Sequence, residues 1–223
     1  NMIAAYKLKT GTDEKDVPLP PTLDEIRRIL SHAEPHLARA IKILWHCGIR
    51  PGGELQRLKW EHVDFDNREI RVYSAHKGGP VIRTVPMSAG LESDLRQWLR
   101  EDTVRKGSNV WGLTIVHYQG HPVKSLKRAW KTAKTCAKIT RKIRPYDLRH
   151  AFASTALRLG VDLKSVSEVL GHSRADTTLR EYQHVTRDQH RAVVDSIPPA
   201  EDLGTIRSIV PMKRINKAIN STT

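Results

Sequence analysis

The first half of the chain contains two different hydrophobic periods. Apolar residues recur at helical spacing after Thr22, which forms a capping-box pair with Glu25, and again over residues 35–47, where Gly48 supplies a stop. A further short helix is expected over residues 54–60. These patterns predict that helices dominate the fold from residue 22 onwards.

The hydrophobic period shortens to two residues over 69–73, and the segment 81–85 repeats the same β-rich composition. The intervening Lys77-Gly78-Gly79-Pro80 suits a turn, so the two runs are predicted to form an antiparallel hairpin whose turn carries Lys77. Helical periodicity returns over residues 91–99 and continues, with breaks near Gly112, Gly120, Gly160 and Gly171. The predicted fold class is therefore mainly α with a small antiparallel β-sheet, an α+β domain.

The chain divides into one main domain and two ends. Residues 1–21 lack apolar periodicity and include three prolines, as expected for an extended lead-in or an interdomain linker. A chain of 223 residues can bury one substantial core. We therefore assign residues 22–200 to a single domain and residues 201–223 to a carboxy-terminal tail.

The charge balance points to a polyanionic partner. Lys and Arg number 38 against 24 Asp and Glu, which gives a net charge of +14. This surplus favours nucleic acid over an acidic small molecule, although charge alone leaves open a generally positive surface or an anionic lipid surface. The motifs have to decide between them.

Cysteine and histidine usage predicts neither disulfides nor a metal site. Cys47 and Cys136 are too few for a disulfide framework and lack the spacing of a zinc site, so both are predicted to lie in the core of a protein in a reducing compartment. His32 and His36 have i, i+4 spacing, but Pro35 lies between them, and no metal is expected. With neither a membrane-length apolar run nor a signal-peptide pattern, we expect a cytoplasmic protein without a membrane partner.

A basic stripe is predicted between residues 124 and 144, which contain nine Lys or Arg residues and no acidic residue. On a helix, six of these side chains share one face, opposite an apolar face that includes Trp130. Neighbouring like charges repel one another, and contact with DNA phosphates would relieve that repulsion, whereas the alternative is a solvated helix face. The predicted DNA-binding residues are Lys124, Lys127, Arg128, Lys131, Lys134 and Lys138.

Four separate segments carry candidate chemistry for phosphodiester cleavage, which without a metal needs a nucleophile, cations and an acid for the leaving oxygen. Arg50 follows the helix stop in a loop rich in Gly and Pro, and Arg149 lies beside the apolar stripe of a later helix. His172 follows a glycine that suits a helix carboxy-terminal cap, and Tyr182 lies beyond it. Taken singly, Arg50 would usually be a surface residue, His172 a structural hydrogen-bonder and Tyr182 a core tyrosine. A charged residue as near to a core as Arg149 is rarely without a role.

The combination resembles the catalytic domain of the tyrosine recombinases, the phage integrase family, over about residues 22–190. The resemblance lies in Arg50 within Gly-Ile-Arg-Pro, Lys77 in a β-turn, Asp147-Leu148-Arg149-His150, Leu170-Gly171-His172 and a final tyrosine. It implies site-specific DNA cleavage and rejoining without metal or ATP. Arg50 and Arg149 would clamp the scissile phosphate, Lys77 would protonate the leaving 5′ oxygen, His172 would bond a non-bridging oxygen, and Tyr182 would form a 3′-phosphotyrosyl link.

The chain departs from the family pattern at three positions. Tyr146 stands where the family often has histidine, so it is assigned a positioning or hydrogen-bonding role, with Glu54 and His150 as supporting residues. Glu54 follows Arg50 one residue later than usual, as if Gly53 were inserted. The usual spacing from the histidine would place the nucleophile at Glu181, so activity through Tyr182 requires a one-residue insertion before it.

The resemblance also implies the wider assembly. Residues 1–21 would follow an amino-terminal DNA-binding domain, the partner would be double-stranded DNA, and the protein would act as a homo-oligomer, a tetramer on DNA. The tail would dock on a neighbouring protomer, or equally on its own domain. The alternatives are a non-catalytic DNA-binding module of the same fold, a type IB topoisomerase and, as a third, a metal-dependent nuclease.

Overall fold

The computed structural model describes residues 19–74 and 82–172. Within them lie six α-helices, which we number α1 (Leu23–Ser31), α2 (Pro35–Cys47), α3 (Ala89–Lys106), α4 (Lys127–Cys136), α5 (Asp147–Arg158) and α6 (Leu163–Leu170). The strands are β1 (Val63–Asp64), β2 (Glu69–Tyr73), β3 (Ile82–Pro86), β4 (His117–Tyr118) and β5 (His121–Pro122). The fold class is α+β, as predicted.

The first two helices begin and end where local signals place them. The Thr22 hydroxyl accepts a hydrogen bond from the Glu25 backbone, and the Glu25 carboxylate accepts one from the Thr22 backbone, so the capping box of α1 is complete. Helix α2 ends at Gly48, whose φ of 59° lies in the left-handed region. Both predicted helices are confirmed.

A three-stranded antiparallel sheet in the order β1-β2-β3 contains the predicted hairpin. Strands β2 and β3 pair from Glu69 with Pro86 to Tyr73 with Ile82. Along β3, residues 83 and 85 are buried while 82, 84 and 86 face outwards. The predicted turn with Lys77 lies outside the described residues.

Two predictions about local structure were wrong. Residues 54–60 do not form one helix, because two short 3-10 turns, Leu55–Arg57 and Trp60–His62, are separated by extended backbone. The extended part pairs with a distant segment, since the Trp60 amide donates to Leu113 O and Ile115 N donates to Leu58 O. A small hairpin, β4 with β5, also interrupts the region that was predicted to be helical.

A buried polar network joins α2, α3 and β4. The Asp102 carboxylate accepts both guanidinium arms of Arg39, at 2.8 and 3.1 Å, and the Trp60 indole N–H at 3.0 Å. His117 accepts the Gly120 N–H at Nδ1, so its Nε2 carries the proton and donates to Asp102. The buried carboxylate is therefore fully paired, which its burial requires.

The two cysteines differ in exposure. Cys47 is buried at the end of α2, as predicted, and burial raises the pKa of its thiol to about 12. Cys136 is exposed at the end of α4, which corrects the prediction that both lie in the core. Its helix buries Trp130 and Ala133 instead, so Cys136 falls on the outer side.

Candidate active site

The loop after α2 presents Arg50 through a contact with Glu54. The buried Glu54 carboxylate accepts the Arg50 backbone N–H at 2.8 Å and its guanidinium at 2.7 Å. The Arg50 carbonyl in turn accepts the amides of Glu54 and Leu55, which closes the loop with Gly53 accommodated inside it. The Arg50 side chain keeps 20% of its surface exposed, so Glu54 orients it without burying it completely.

Arg83 on β3 is a further member of the site that the sequence reasoning missed. Its two guanidinium nitrogens bind both oxygens of Glu54 at 2.8 Å, and its Nε donates to Val169 O near the end of α6. Burial raises the pKa of Glu54, but the hydrogen bonds from Arg83 and from the Arg50 backbone outweigh it and lower the pKa to about 2. A charged residue on the same strand face as Val85 was the available signal.

Arg149 is placed by α5 in the interior, where it is 1% exposed. One arm donates to Gly48 O and the other to Leu170 O, both at 2.7 Å. These carbonyls lie at the carboxy-terminal ends of α2 and α6, where the helix dipole favours a cation. Burial and then the charge of Arg50 lower the pKa of Arg149 to about 10, so it remains protonated at neutral pH.

His172 follows the left-handed Gly171 that ends α6, as the sequence predicted. Its backbone N–H donates to Ser167 O, which holds the residue against the last turn of the helix. Burial, followed by the charges of Arg149, Arg50 and Arg83, lowers the pKa of the imidazole to about 4. The imidazole is therefore neutral near pH 7, in an electropositive setting.

Tyr146 and His150 lie together at the start of α5. Their rings meet edge to face at 5.2 Å between centroids, and the Tyr146 side chain is exposed. The same turn is held by Asp147, whose carboxylate accepts the Arg144 backbone N–H at 2.7 Å.

The described residues thus bring together Arg50, Glu54, Arg149 and His172, with Tyr146 and His150 on the adjoining turn. Lys77 and Tyr182, two of the predicted site residues, lie outside the described residues. Among residues 19–74 and 82–172, no cluster of three or more metal-ligating side chains occurs, and no helix is long and apolar enough to cross a membrane.

The helix that carries the predicted basic stripe is shorter than the stripe itself. Lys127, Arg128 and Lys131 are exposed on α4, opposite the buried Trp130 and Ala133. Lys134 is partly buried and donates to Arg141 O at 2.9 Å. Lys124 precedes the helix, and Lys138 follows it with a φ of 55°. The prediction that these two residues lie on the same helix was therefore wrong.

Comparison with known proteins agrees with this geometry. The model of the phage integrase family matches residues 22–189. The chain belongs to the phage integrase family. A relative, the tyrosine recombinase XerA of Pyrococcus horikoshii, is 30% identical over 193 residues, which are 86% of this chain and 65% of the relative.

Solved structures of recombinases share the fold of this phage integrase family member. A crystal structure of XerA recombinase has a TM-score of 0.65 and 26% identity, and the match covers 78% of this chain and 65% of that one. The Tn1549 transposon integrase in complex with transposon right end DNA has a TM-score of 0.64 at 21% identity, covering 82% of this chain and 67% of that one. At that identity the second match supports the fold alone.

Proposed function

We propose that this chain is the catalytic part of a site-specific recombinase that cleaves and rejoins double-stranded DNA through a covalent bond to Tyr182. The observation that carries the proposal is that the cations Arg50 and Arg149 lie close to the neutral imidazole of His172. Within the described part of the chain no carboxylate forms an ion pair with Arg149, and the Arg50 side chain is partly exposed. A phosphate anion is the partner that these cations favour.

The chemistry needs only side chains. In the proposed reaction the Tyr182 oxygen attacks phosphorus and its proton passes to solvent, while the bond to the 5′ oxygen breaks and Lys77 protonates that oxygen. A free tyrosine with a pKa of about 10 is ionised to roughly one part in a thousand at neutral pH, so nearby cations have to stabilise the phenolate as it forms. One phosphoester bond replaces another, so rejoining requires no ATP. The side-chain cations stabilise the developing charge, so the proposed reaction needs no metal.

The neutral state of His172 fits the role of a hydrogen-bond donor. A neutral imidazole keeps one N–H, which can donate to a non-bridging oxygen of the phosphate. The two arginines supply the positive charge, and the planar guanidinium can bind two phosphate oxygens at once. Tyr146, exposed beside His150, is assigned a positioning or hydrogen-bonding role at the edge of the site.

Contact with the DNA backbone is proposed for the basic stripe on and around α4. Lys127, Arg128 and Lys131 are exposed on one side of α4, with Lys124 and Lys138 beyond its two ends. Lys134 already donates to a backbone carbonyl, so its contribution to DNA binding is expected to be smaller. The Tn1549 integrase, a structural neighbour, was solved in complex with DNA.

The organisation of the whole protein is also a proposal. Residues 1–21 would link the catalytic domain, residues 22–200, to an amino-terminal DNA-binding domain, and residues 201–223 would dock on a neighbouring protomer or on their own domain. The protein would act as a homotetramer on DNA, in the cytoplasm. Size-exclusion chromatography with light scattering, with and without target DNA, measures the assembly.

The decisive experiment is trapping of the covalent intermediate. A suicide substrate nicked near the recombination site loses its leaving strand after cleavage, so an SDS-resistant protein–DNA adduct accumulates. We expect an adduct with the wild-type chain and with Glu181→Gln, and none with Tyr182→Phe. Since residue 181 is the alternative position of the nucleophile, this pair of variants tests the proposed register directly.

The same assay separates the competing functions. A non-catalytic DNA-binding module would shift the DNA in a gel but form no adduct with the intact chain. A metal-dependent nuclease would lose its activity in EDTA, whereas the proposed recombinase keeps it. A type IB topoisomerase would relax supercoiled plasmid irrespective of a recombination site.

A further inference from the structure

Arg83 is a fully bonded charged side chain in the site, and none of the roles proposed above uses it. Its side chain is 6% exposed, and that of its partner Glu54 is 1% exposed. Burial of an ion pair is costly unless its hydrogen bonds are satisfied, and here every guanidinium nitrogen of Arg83 has an acceptor. Because both carboxylate oxygens of Glu54 already pair with its guanidinium, Arg83 is not assigned to phosphate binding.

The contacts of Arg83 connect two parts of the site. On one side, Glu54 is shared, because the same carboxylate binds Arg83 and the Arg50 guanidinium. On the other side, the Nε of Arg83 holds Val169 O, three residues before His172 in the chain. Arg149 makes a parallel connection between Gly48 O and Leu170 O. Two arginines therefore tie both ends of the Arg50 loop to the last turn of α6.

Close packing limits any movement of this connection. A β-carbon at Gly171 would lie 2.9 Å from Cδ of Arg83, so the arginine side chain passes directly beneath the residue before His172. Arg83 also lies on β3, the strand that follows Lys77 in the sequence. A shift of Arg83 would therefore displace the Arg50 loop, the last turn of α6 and β3.

We propose that Arg83 is a positioning residue for DNA cleavage, which orients the Arg50 guanidinium through Glu54 and sets its distance from His172 through Val169 O. The inference rests on the proposed recombinase function. A misplacement of about 1 Å at a reacting group can cost roughly 100-fold in rate, so the bonds of Arg83 are expected to matter for the rate of cleavage more than for DNA affinity.

The test is the variant Arg83→Lys, which keeps the charge but cannot bridge both Glu54 oxygens and Val169 O. With the suicide substrate at saturating DNA, we expect the single-turnover rate of adduct formation to fall by about 100-fold, with the Kd for DNA little changed. Glu54→Asp is the second variant, because the shorter carboxylate keeps its charge and cannot reach both arginines. Thermal unfolding confirms that each variant is folded.

A double-mutant cycle distinguishes positioning from a general structural role. In an Arg50→Lys background there is no guanidinium to orient, so Arg83→Lys should lower the rate by a much smaller factor than in the wild-type background. A structural role would give the same factor in both backgrounds and would overturn the proposal. An unchanged rate in Arg83→Lys would also overturn it while leaving the recombinase function intact.

A measurement without DNA keeps the two proposals separable. The Nε–H signal of Arg50 in ¹⁵N NMR of the free chain can be assigned by its loss in Arg50→Lys. This signal should show an ordered Arg50 side chain in the wild type and a mobile one in Arg83→Lys. If the wild-type chain forms no adduct, the recombinase function fails, and this signal still decides whether Arg83 positions Arg50. An Arg50 signal that is equally ordered in both proteins contradicts the positioning role.

Discussion

Replacing Gly48 with alanine should strongly destabilise the packing that supports the site. Its φ of 59° lies in the left-handed region, which costs an L-residue about 1–2 kcal/mol. A β-carbon would also lie 2.5 Å from Cδ1 of the partly buried Phe152 and 2.9 Å from Cδ2 of the buried Leu170. Overpacking of this kind costs about 1–3 kcal/mol.

The two costs sum to about 2–5 kcal/mol for Gly48→Ala. For a domain of this size the midpoint of thermal unfolding, Tm, should fall by roughly 4–20 °C, measured by differential scanning calorimetry or circular dichroism. Gly48 O accepts a hydrogen bond from Arg149. Those molecules of the variant that are folded should therefore also form the adduct more slowly than the wild type.

Two other glycines provide matched controls. Gly160 has a φ of 86°, but a β-carbon added there would have no neighbour within 4 Å, so Gly160→Ala should show the backbone cost alone. Gly53 lies in the Arg50 loop without a left-handed φ and without close neighbours, so Gly53→Ala should leave Tm nearly unchanged. If Gly48→Ala is no more destabilising than Gly160→Ala, the steric part of the reasoning is wrong.

Three further predictions concern the charges. Asp102→Ala should lower the free energy of unfolding by about 3–5 kcal/mol in urea titrations, because it removes the buried carboxylate that pairs with Arg39 and accepts the N–H groups of Trp60 and His117. Glu61→Ala at an exposed ion pair should change the free energy of unfolding little. By NMR, His172 should titrate near pH 4 in the free chain and at a higher pH with DNA bound. This pKa is below the value of 6.5 expected in the unfolded chain. The contribution of His172 to stability should therefore be complete above pH 6.5 and be lost as the pH falls towards 4. A folded-state pKa near 6.5 would contradict this prediction. Lys127→Gln and Lys131→Gln should each reduce the slope of log K for DNA against log salt by about 1, and an unchanged slope would remove α4 from the interface.

Local signals were sufficient for the elements that bound the site. The capping box at Thr22, the glycine stop at Gly48 and the change of period before the hairpin each act over a few residues, and the structure has the helices and the hairpin there. The sequence order of Arg50, Arg149 and His172 also predicted that they would meet, through the resemblance to the tyrosine recombinases. In the structure the charges of Arg149 and Arg50 lower the pKa of His172, so the three side chains lie near one another.

What the sequence could not supply were the contacts between distant segments. Arg83 and Glu54 are 29 residues apart, so their pairing depends on how β3 packs against the Arg50 loop. Extended backbone at Leu58 replaced the expected helix because it pairs with residues near Leu113, a choice that local propensity cannot make. Residue chemistry and helix limits were thus determined by the sequence itself, whereas burial and charge pairing, and with them the orientation of Arg50, were decided only by tertiary packing.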